Sequence, residues 1–306
     1  MKPKRIQKNV LPAAPAQPFS RVGVLGLGIM GSAMAGNLMK AGFTVFGFDP
    51  SAQARRRFSA AGGTLCTDVA ALAGKVDVVI CSLPSAEALL KCATSLAAAA
   101  PKGLPVIETS TLDLEDKHAA QRLLAARGVT LLDCPLSGTG AQAARKDLTV
   151  YASGPRRVIG RLGTVFDGFA RAHYFLGAFG NGMKMKLMAN LLVAIHNVST
   201  AEALLLGQRW GIKTEDAVRV LSDGAGSSRM LEVRGPVMAE RRWHEAAMKV
   251  SVWQKDMRLI TQALAEAQVP APLFCATIPI YNAAAGSGHA EHDTAAVFEV
   301  LSRMSS

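Results

Sequence analysis

The feature that most constrains the fold is a short apolar run, residues 22–25, that passes straight into Gly26-Leu27-Gly28-Ile29-Met30-Gly31 and then into a stretch with helical spacing, 29–41. Each glycine has a backbone reason. Gly26 permits a tight turn, Gly28 leaves the main chain open to close approach, and Gly31 lets the helix lie against the strand. The helix so opened offers free amides and a partial positive charge, which suits phosphate groups. The spacing alone is a weak signal; a strand before it and a helix after it make it specific. These residues therefore predict a dinucleotide site. The next strand-like run, 44–48, ends at Asp49, eighteen residues beyond Gly31. An acid there accepts the adenosine ribose hydroxyls and repels a 2′-phosphate, so NAD is the expected cofactor. NADP is the runner-up, because Arg55, Arg56 and Arg57 follow; by helical spacing they lie past the first turn and read as surface residues.

Strand-like runs recur at 22–25, 44–48, 76–81, 105–108, 129–133 and 148–152, separated by helix-like segments at 29–41, 52–61, 87–100 and 114–127. Gly42, Gly62 and Gly128 fit helix stops. This alternation predicts an α/β Rossmann domain, doubly wound, with a mainly parallel sheet. Beyond residue 180 the pattern becomes purely helical: 183–210, 215–221, 250–267, 272–285 and 294–303, with Thr214 and Asp293 as N-caps. Gly180-Asn181-Gly182 opens the longest helix. The expected organisation is a tail over 1–19, a dinucleotide-binding domain over 20–181 and an all-helical domain over 182–306, joined by that long helix.

Half of the 306 residues are hydrophobic and 19% are charged, enough apolar material for two cored domains and too little charge for global disorder. The five cysteines are odd in number and form no C-x-x-C pair, which points to a reducing, cytoplasmic setting and away from a zinc ribbon. There is no H-x-x-x-H, so no metal is expected. A net charge of +11 suits an anionic cofactor and a carboxylate substrate. Aromatic residues are few and are not interleaved with Arg55-Arg56-Arg57 or Arg241-Arg242, so no stacking platform for nucleic acid is expected. The most apolar stretch, 187–206, is interrupted by Asn190, His196, Asn197 and Glu202 and reads as a buried helix, with no membrane partner. The basic, Pro/Ala-rich segment 1–17 lacks the apolar core of a secretory signal and reads as a disordered tail, a cleaved transit peptide being the alternative.

Leu83-Pro84, Ser110-Thr111 and Ser137-Gly138-Thr139-Gly140 each follow a strand. Singly they are ordinary turns; their shared edge of the sheet makes a common ligand the better reading. On the helix after Gly180, Lys186 and Asn190 lie one turn apart, and Asn197 falls within roughly a quarter-turn of Lys186. Buried lysines are rare unless paired or functional. Desolvation lowers a lysine's pKa, and a nearby Lys255 would push the same way, so Lys186 is the candidate acid/base. Lys184 points elsewhere and His196 reads as a core histidine. His289 and His292 read as exposed, in a Gly/Ser-rich turn.

Four blocks together resemble the β-hydroxyacid dehydrogenase family, which includes 3-hydroxyisobutyrate dehydrogenase and 2-hydroxy-3-oxopropionate reductase. They are Gly26 to Gly31; Asp133-Cys134-Pro135-Leu136-Ser137-Gly138; Gly180-Asn181-Gly182 through Lys186 to Asn190, which fits G-x-G-x-x-x-K-x-x-x-N; and Lys255-Asp256. The resemblance implies a Rossmann domain joined to a helical one, with Lys186 catalytic. It implies that Asn190 and the Ser137-Gly138-Thr139 stretch hold a small hydroxy-acid or semialdehyde substrate, and that Leu83, Pro84, Thr111 and Lys255 lie by the cofactor. The substrate class so implied is a 3-hydroxy acid, the assembly a homodimer or homotetramer. This sequence departs from the pattern at Thr139 and Lys146, where glycines are common, at Asp147, where threonine is, and at Met248, often phenylalanine. Added bulk and a hydroxyl at Thr139 point to a larger or more hydroxylated acid. An NADPH-dependent aldehyde or imine reductase is the competing enzyme reading, disfavoured by Lys186 and Asp49. A non-catalytic dinucleotide sensor or nucleic-acid-associated module competes from another class, disfavoured by the pairing of Lys186 with Asn190.

Overall fold

Six parallel strands form the main sheet: β1 (Arg21–Leu25), β2 (Thr44–Phe48), β3 (Thr64–Leu65), β4 (Val78–Cys81), β5 (Pro105–Glu108) and β6 (Thr130–Asp133), in the order β3-β2-β1-β4-β5-β6. The computed structural model describes residues 19–305, so residues 1–18 of the expected tail lie outside the described residues. Strand side chains alternate between two cores, as a pleat demands. Val78 and Ile80 join one core with α1 (Ile29–Lys40) and α2 (Ala52–Ala60); Val79 and Cys81 join the other with α3 (Val69–Ala73), α4 (Ala86–Ala99) and α5 (Leu114–Ala125). Burial on both faces explains why these strands are continuous apolar runs.

The run expected at 148–152 leaves this sheet. After β6 the chain forms β7 (Leu136–Ser137), α6 (Gly140–Ala144), β8 (Thr149–Ala152), α7 (Arg156–Arg161), α8 (Gly163–Phe169) and β9 (Ala172–Phe175). Here β8 pairs antiparallel with β7 and parallel with β9, and an antiparallel bridge between Asp133 and Ser153 ties the two sheets.

The chain divides into two compact units after Lys186. The boundary falls inside α9 (Asn181–Arg209), and the second unit continues as α10 (Thr214–Asp223), α11 (Arg229–Ala239), α12 (Val250–Glu266), α13 (Pro272–Ala284) and α14 (Val297–Met304) around its own core. Two sequence expectations fail here. Thr214 does not cap α10; Lys213 takes the cap position, and the buried Thr214 accepts a hydrogen bond from Gln208. His289 and His292 are not exposed. His289 is 7% exposed, with its Nδ1 2.9 Å from His292 Nδ1, because the segment before Asp293 is drawn in by backbone bonds from Val250 and Ser251 and by the edge of Trp243. Asp293 does cap the turn before α14, and it also pairs with the buried Arg234 at 2.8 Å.

Candidate active site

The glycine turn separates packing from binding. A Cβ on Gly26 would lie 2.1 Å from Ser82 O, and one on Gly31 would lie 1.8 Å from Gly26 O, so both are needed by the protein itself. Gly26 also sits at φ +90°, where side chains are strained. Gly28 is different: its φ is −69° and a Cβ there would meet nothing within 4 Å. No internal packing demands a glycine at that position. Open space above the first turn of α1, which has no side-chain cap and no acid, fits a pyrophosphate group. Asp49 closes the turn from the side: Oδ2 accepts the Leu27 N–H at 2.7 Å and Oδ1 the Ser51 N–H at 2.7 Å. Its anchored carboxylate stands at the strand end, where an adenosine ribose binds in this fold. Arg55 is not simply a surface residue. It is half-buried, and its guanidinium folds back to donate to the Asp49 and Pro50 carbonyls at 2.7 and 2.9 Å. Arg57 is exposed and lines a hollow with Gly28 and Ser32.

Neighbouring strand ends converge on this turn. Ser82 touches it, the Leu83 N–H donates to Ser110 Oγ at 2.8 Å, and Thr109 Oγ1 donates to Cys81 O at 2.7 Å. Pro84 is exposed beside Leu83, and Thr111 is half-buried. On the other side, a Cβ on Gly140 would lie 2.5 Å from Ile29 Cγ2, so the Ser137-to-Gly140 loop abuts the fingerprint helix. Gly138 takes φ +135°. The Thr139 hydroxyl, expected beside the substrate, caps α6 in a reciprocal box with Gln142. Gln142 in turn donates to Asp147, which pairs with Arg171. Lys146 lies at φ +61°, which explains why a glycine suits that position.

The first turn of α9 is seated on β6. Met183 N–H donates to Asp133 Oδ2 at 2.8 Å and Gly182 N–H to Ser153 Oγ at 2.9 Å. Asp133 and Glu108 both pair with Lys117 at 2.7 Å, all three fully buried. Burial alone would push the Lys117 ammonium down, but the two carboxylates overrule it and hold its pKa above the ordinary value. Sequence reasoning passed over Lys117 and Glu108. The available signal was Lys117 in the inward stripe of α5 with Ala120 and Leu124, where a charge has no business unless paired.

Lys186 is half-buried and Lys184 exposed, as the helical spacing predicts. Within the second unit Asn190 is buried, and its Nδ2 donates to Asp256 Oδ2 at 2.8 Å; Lys255 Nζ lies 3.8 Å from Asp256 Oδ1. Asn197, read as part of the same polar stripe, belongs to the core: its Nδ2 donates to the Tyr281 hydroxyl and Thr294 carbonyl.

A glycine turn open only at its central glycine, on the carboxyl edge of this sheet order, defines a class: a protein of the dinucleotide-binding Rossmann type. Residues 21–201 match the family described as the NAD binding domain of 6-phosphogluconate dehydrogenase, and residues 180–301 the one described as NAD-binding of NADP-dependent 3-hydroxyisobutyrate dehydrogenase. The chain belongs to the β-hydroxyacid dehydrogenase family and is an NAD(P)-dependent enzyme of hydroxyacid oxidoreduction. It is 34% identical to an L-threonate dehydrogenase of Cupriavidus necator, over 92% of this chain and 95% of the relative. It is 26% identical to a 2-(hydroxymethyl)glutarate dehydrogenase of Eubacterium barkeri, over 93% and 95%. The solved structure of Mycobacterium tuberculosis 3-hydroxyisobutyrate dehydrogenase with L-serine superimposes with a TM-score of 0.84 at 29% identity, covering 92% of this chain and 99% of that one.

Proposed function

We propose that the chain transfers hydride between NAD and the hydroxyl-bearing carbon of a small hydroxy acid, or reduces the matching semialdehyde, with Lys186 as general acid/base. The reading is carried by one observation: a half-buried Lys186 one helical turn before a buried Asn190 that Asp256 already orients. Oxidising an alcohol releases a proton along with the hydride. Neutral Lys186 Nζ takes that proton from the hydroxyl and returns it in the reductive direction. Asn190 and the Ser137-Gly138-Thr139 stretch hold the substrate, its carboxylate on the Ser137-Gly138 backbone. When bound, the nicotinamide supplies the two-electron acceptor or donor. Gly26 to Gly31, Asp49, Leu83, Pro84, Thr111 and Lys255 hold the cofactor.

Among substrates we favour a small polyhydroxy acid such as L-threonate, supported by the relative at 34% identity. NADP is the second cofactor reading, favoured by Arg57 and Ser32 in the hollow beside Gly28. A homodimer or homotetramer in the cytoplasm belongs to the same proposal, consistent with five free cysteines. The test is a panel of L-threonate, 3-hydroxyisobutyrate and related acids with NAD, alongside Lys186→Ala. The variant loses ~10²–10⁴-fold in turnover with near-normal NAD binding. Unchanged turnover in Lys186→Ala, or no turnover of any hydroxy acid by the parent, overturns the proposal.

A further inference from the structure

Under the loops of the sheet's carboxyl edge lies an ion cluster that the chemistry above does not use. Lys117 Nζ is 2.7 Å from Glu108 Oε2, at the end of β5, and 2.7 Å from Asp133 Oδ1, at the end of β6. Taking three charges out of water gains little over apolar packing of the same volume, so stability alone is a poor reason for the cluster. Its hydrogen bonds give a better one. On one arm, Glu108 Oε1 accepts the Ser110 N–H at 2.8 Å, and Ser110 Oγ accepts the Leu83 N–H at 2.8 Å. On the other, Asp133 Oδ2 accepts the Met183 N–H at 2.8 Å, with Ser153 Oγ at 3.1 Å bridging to the Gly182 N–H. Two acids against one base leave a surplus negative charge facing the positive end of the α9 dipole. A Cβ on Gly182 would come 2.4 Å from Tyr151 O and 2.6 Å from Asp133 O, so this helix end has no room to slide.

We propose that Lys117 is a positioning residue: by clamping Glu108 to Asp133 it fixes the first turn of α9, and Lys186 with it, in register with the Leu83 and Ser110-Thr111 loops. This rests on the assignment of Lys186 as acid/base and of those loops to the cofactor. Lys117→Met removes the charge at similar length; Lys117→Arg keeps it. Well below the melting point, Lys117→Met lowers kcat roughly ten- to hundredfold, with the Kd for NAD changed by less than about threefold. Lys117→Arg loses thermal stability by overpacking yet keeps much more of kcat. Without cofactor, amide exchange at Gly182 and Met183 quickens in the Met variant and far less in the Arg variant. Should the Arg protein fail to fold, Glu108→Gln serves: it keeps an acceptor for Ser110 and loosens the ion pair, with a smaller fall in kcat and a smaller rise in exchange. A Lys117→Met enzyme with a lowered Tm but parental kcat, or with unchanged exchange at the start of α9, overturns the proposal. So do folded Met and Arg variants that are equally slow. If Lys186→Ala is inactive while Lys117→Met is fully active, only the role of Lys117 falls. If Lys186→Ala stays active, the site assignment falls, and the exchange rates alone decide whether Lys117 seats α9.

Discussion

Asp49 has both carboxylate oxygens tied to backbone amides, Oδ2 to that of Leu27 and Oδ1 to that of Ser51. Each oxygen keeps a further lone pair, so the carboxylate can accept ribose hydroxyls while pinned in place. A 2′-phosphate would meet this fixed negative charge, against which stand the Arg55 guanidinium, tied to the Asp49 and Pro50 carbonyls, and Arg57 in the hollow beside Gly28. Asp49→Asn turns one acceptor into a donor. NAD binding therefore weakens, and the ratio of the NADP and NAD dissociation constants falls by roughly tenfold or more, because a like-charge clash is removed. Arg57→Ala acts the other way, weakening NADP alone. Titration of the parent and both variants with each dinucleotide is the check; a parent that binds NADP more tightly removes the argument from Asp49. At this scale the glycines and Asp49 were legible because their reasons are local: a φ, a close approach, a charge at a strand end. Arg55 and Thr139 were not, since the one is recruited by a carbonyl pair that exists only once the loop has folded, and the other is absorbed by the cap of a short helix that follows a missed strand. Lys117 was legible in principle, as a charge in an apolar stripe, but its partners lie on two different strands.

β1 is locked to the loop before β4 by a clasp on Asp77, whose carboxylate accepts from the Ser20 and Arg21 amides at 3.1 and 2.9 Å and from the Arg21 guanidinium at 2.7 Å. Burial works to raise the pKa of Asp77, but the Arg21 side chain and the two amides outweigh it and hold it at about 2. A carboxyl whose pKa is depressed on folding adds stability above its unfolded value, and that stability is lost as the pH falls through the folded one. The clasp is therefore fully present above about pH 4 and gone by about pH 2. Arg21 is 54% exposed, so solvent screening leaves the clasp only a small contribution. Denaturant melts of the parent and Asp77→Asn are expected to differ by that contribution at pH 7 and to converge as the solution is acidified. A gap that ignores pH would show the clasp to be packing rather than charge. The elements that sequence reasoning found are those with several periods of pattern, such as β4, α5 and α12. It missed β3 and β7, each two residues long, because nothing but pairing to a neighbour makes so short a segment a strand. It also missed α11, where Gly235, Pro236 and the buried Arg234 disguise a helix held by Asp293.

For the whole molecule, the switch from alternating strands and helices to helices alone was enough to give both fold classes, since each unit keeps its own core. What composition could not decide was the destination of the apolar surface on α9. This 29-residue helix is long and apolar enough, by length and composition, to cross a membrane. Two opposite sectors tell otherwise. At about 100° per residue, Asn190 and Asn197 share one side, and both donate inside the helical unit. Met188, Leu192, Leu206 and Trp210 share the other within about 40°, and they are 61, 51, 49 and 70% exposed. Glu202 is exposed close to that stripe, a poor neighbour for lipid but an ordinary one at a protein interface. Exposed large apolar side chains on one side of a helix suit a protein contact, and a second copy of the chain is the partner we propose. Sedimentation at micromolar concentration should return a dimer or tetramer. Leu192→Glu with Leu206→Glu should shift it to monomer with the helical circular dichroism intact, because two charges then face their own symmetry mates across an apolar contact. A parent that sediments as a monomer, or a double variant that stays assembled, removes α9 from the interface.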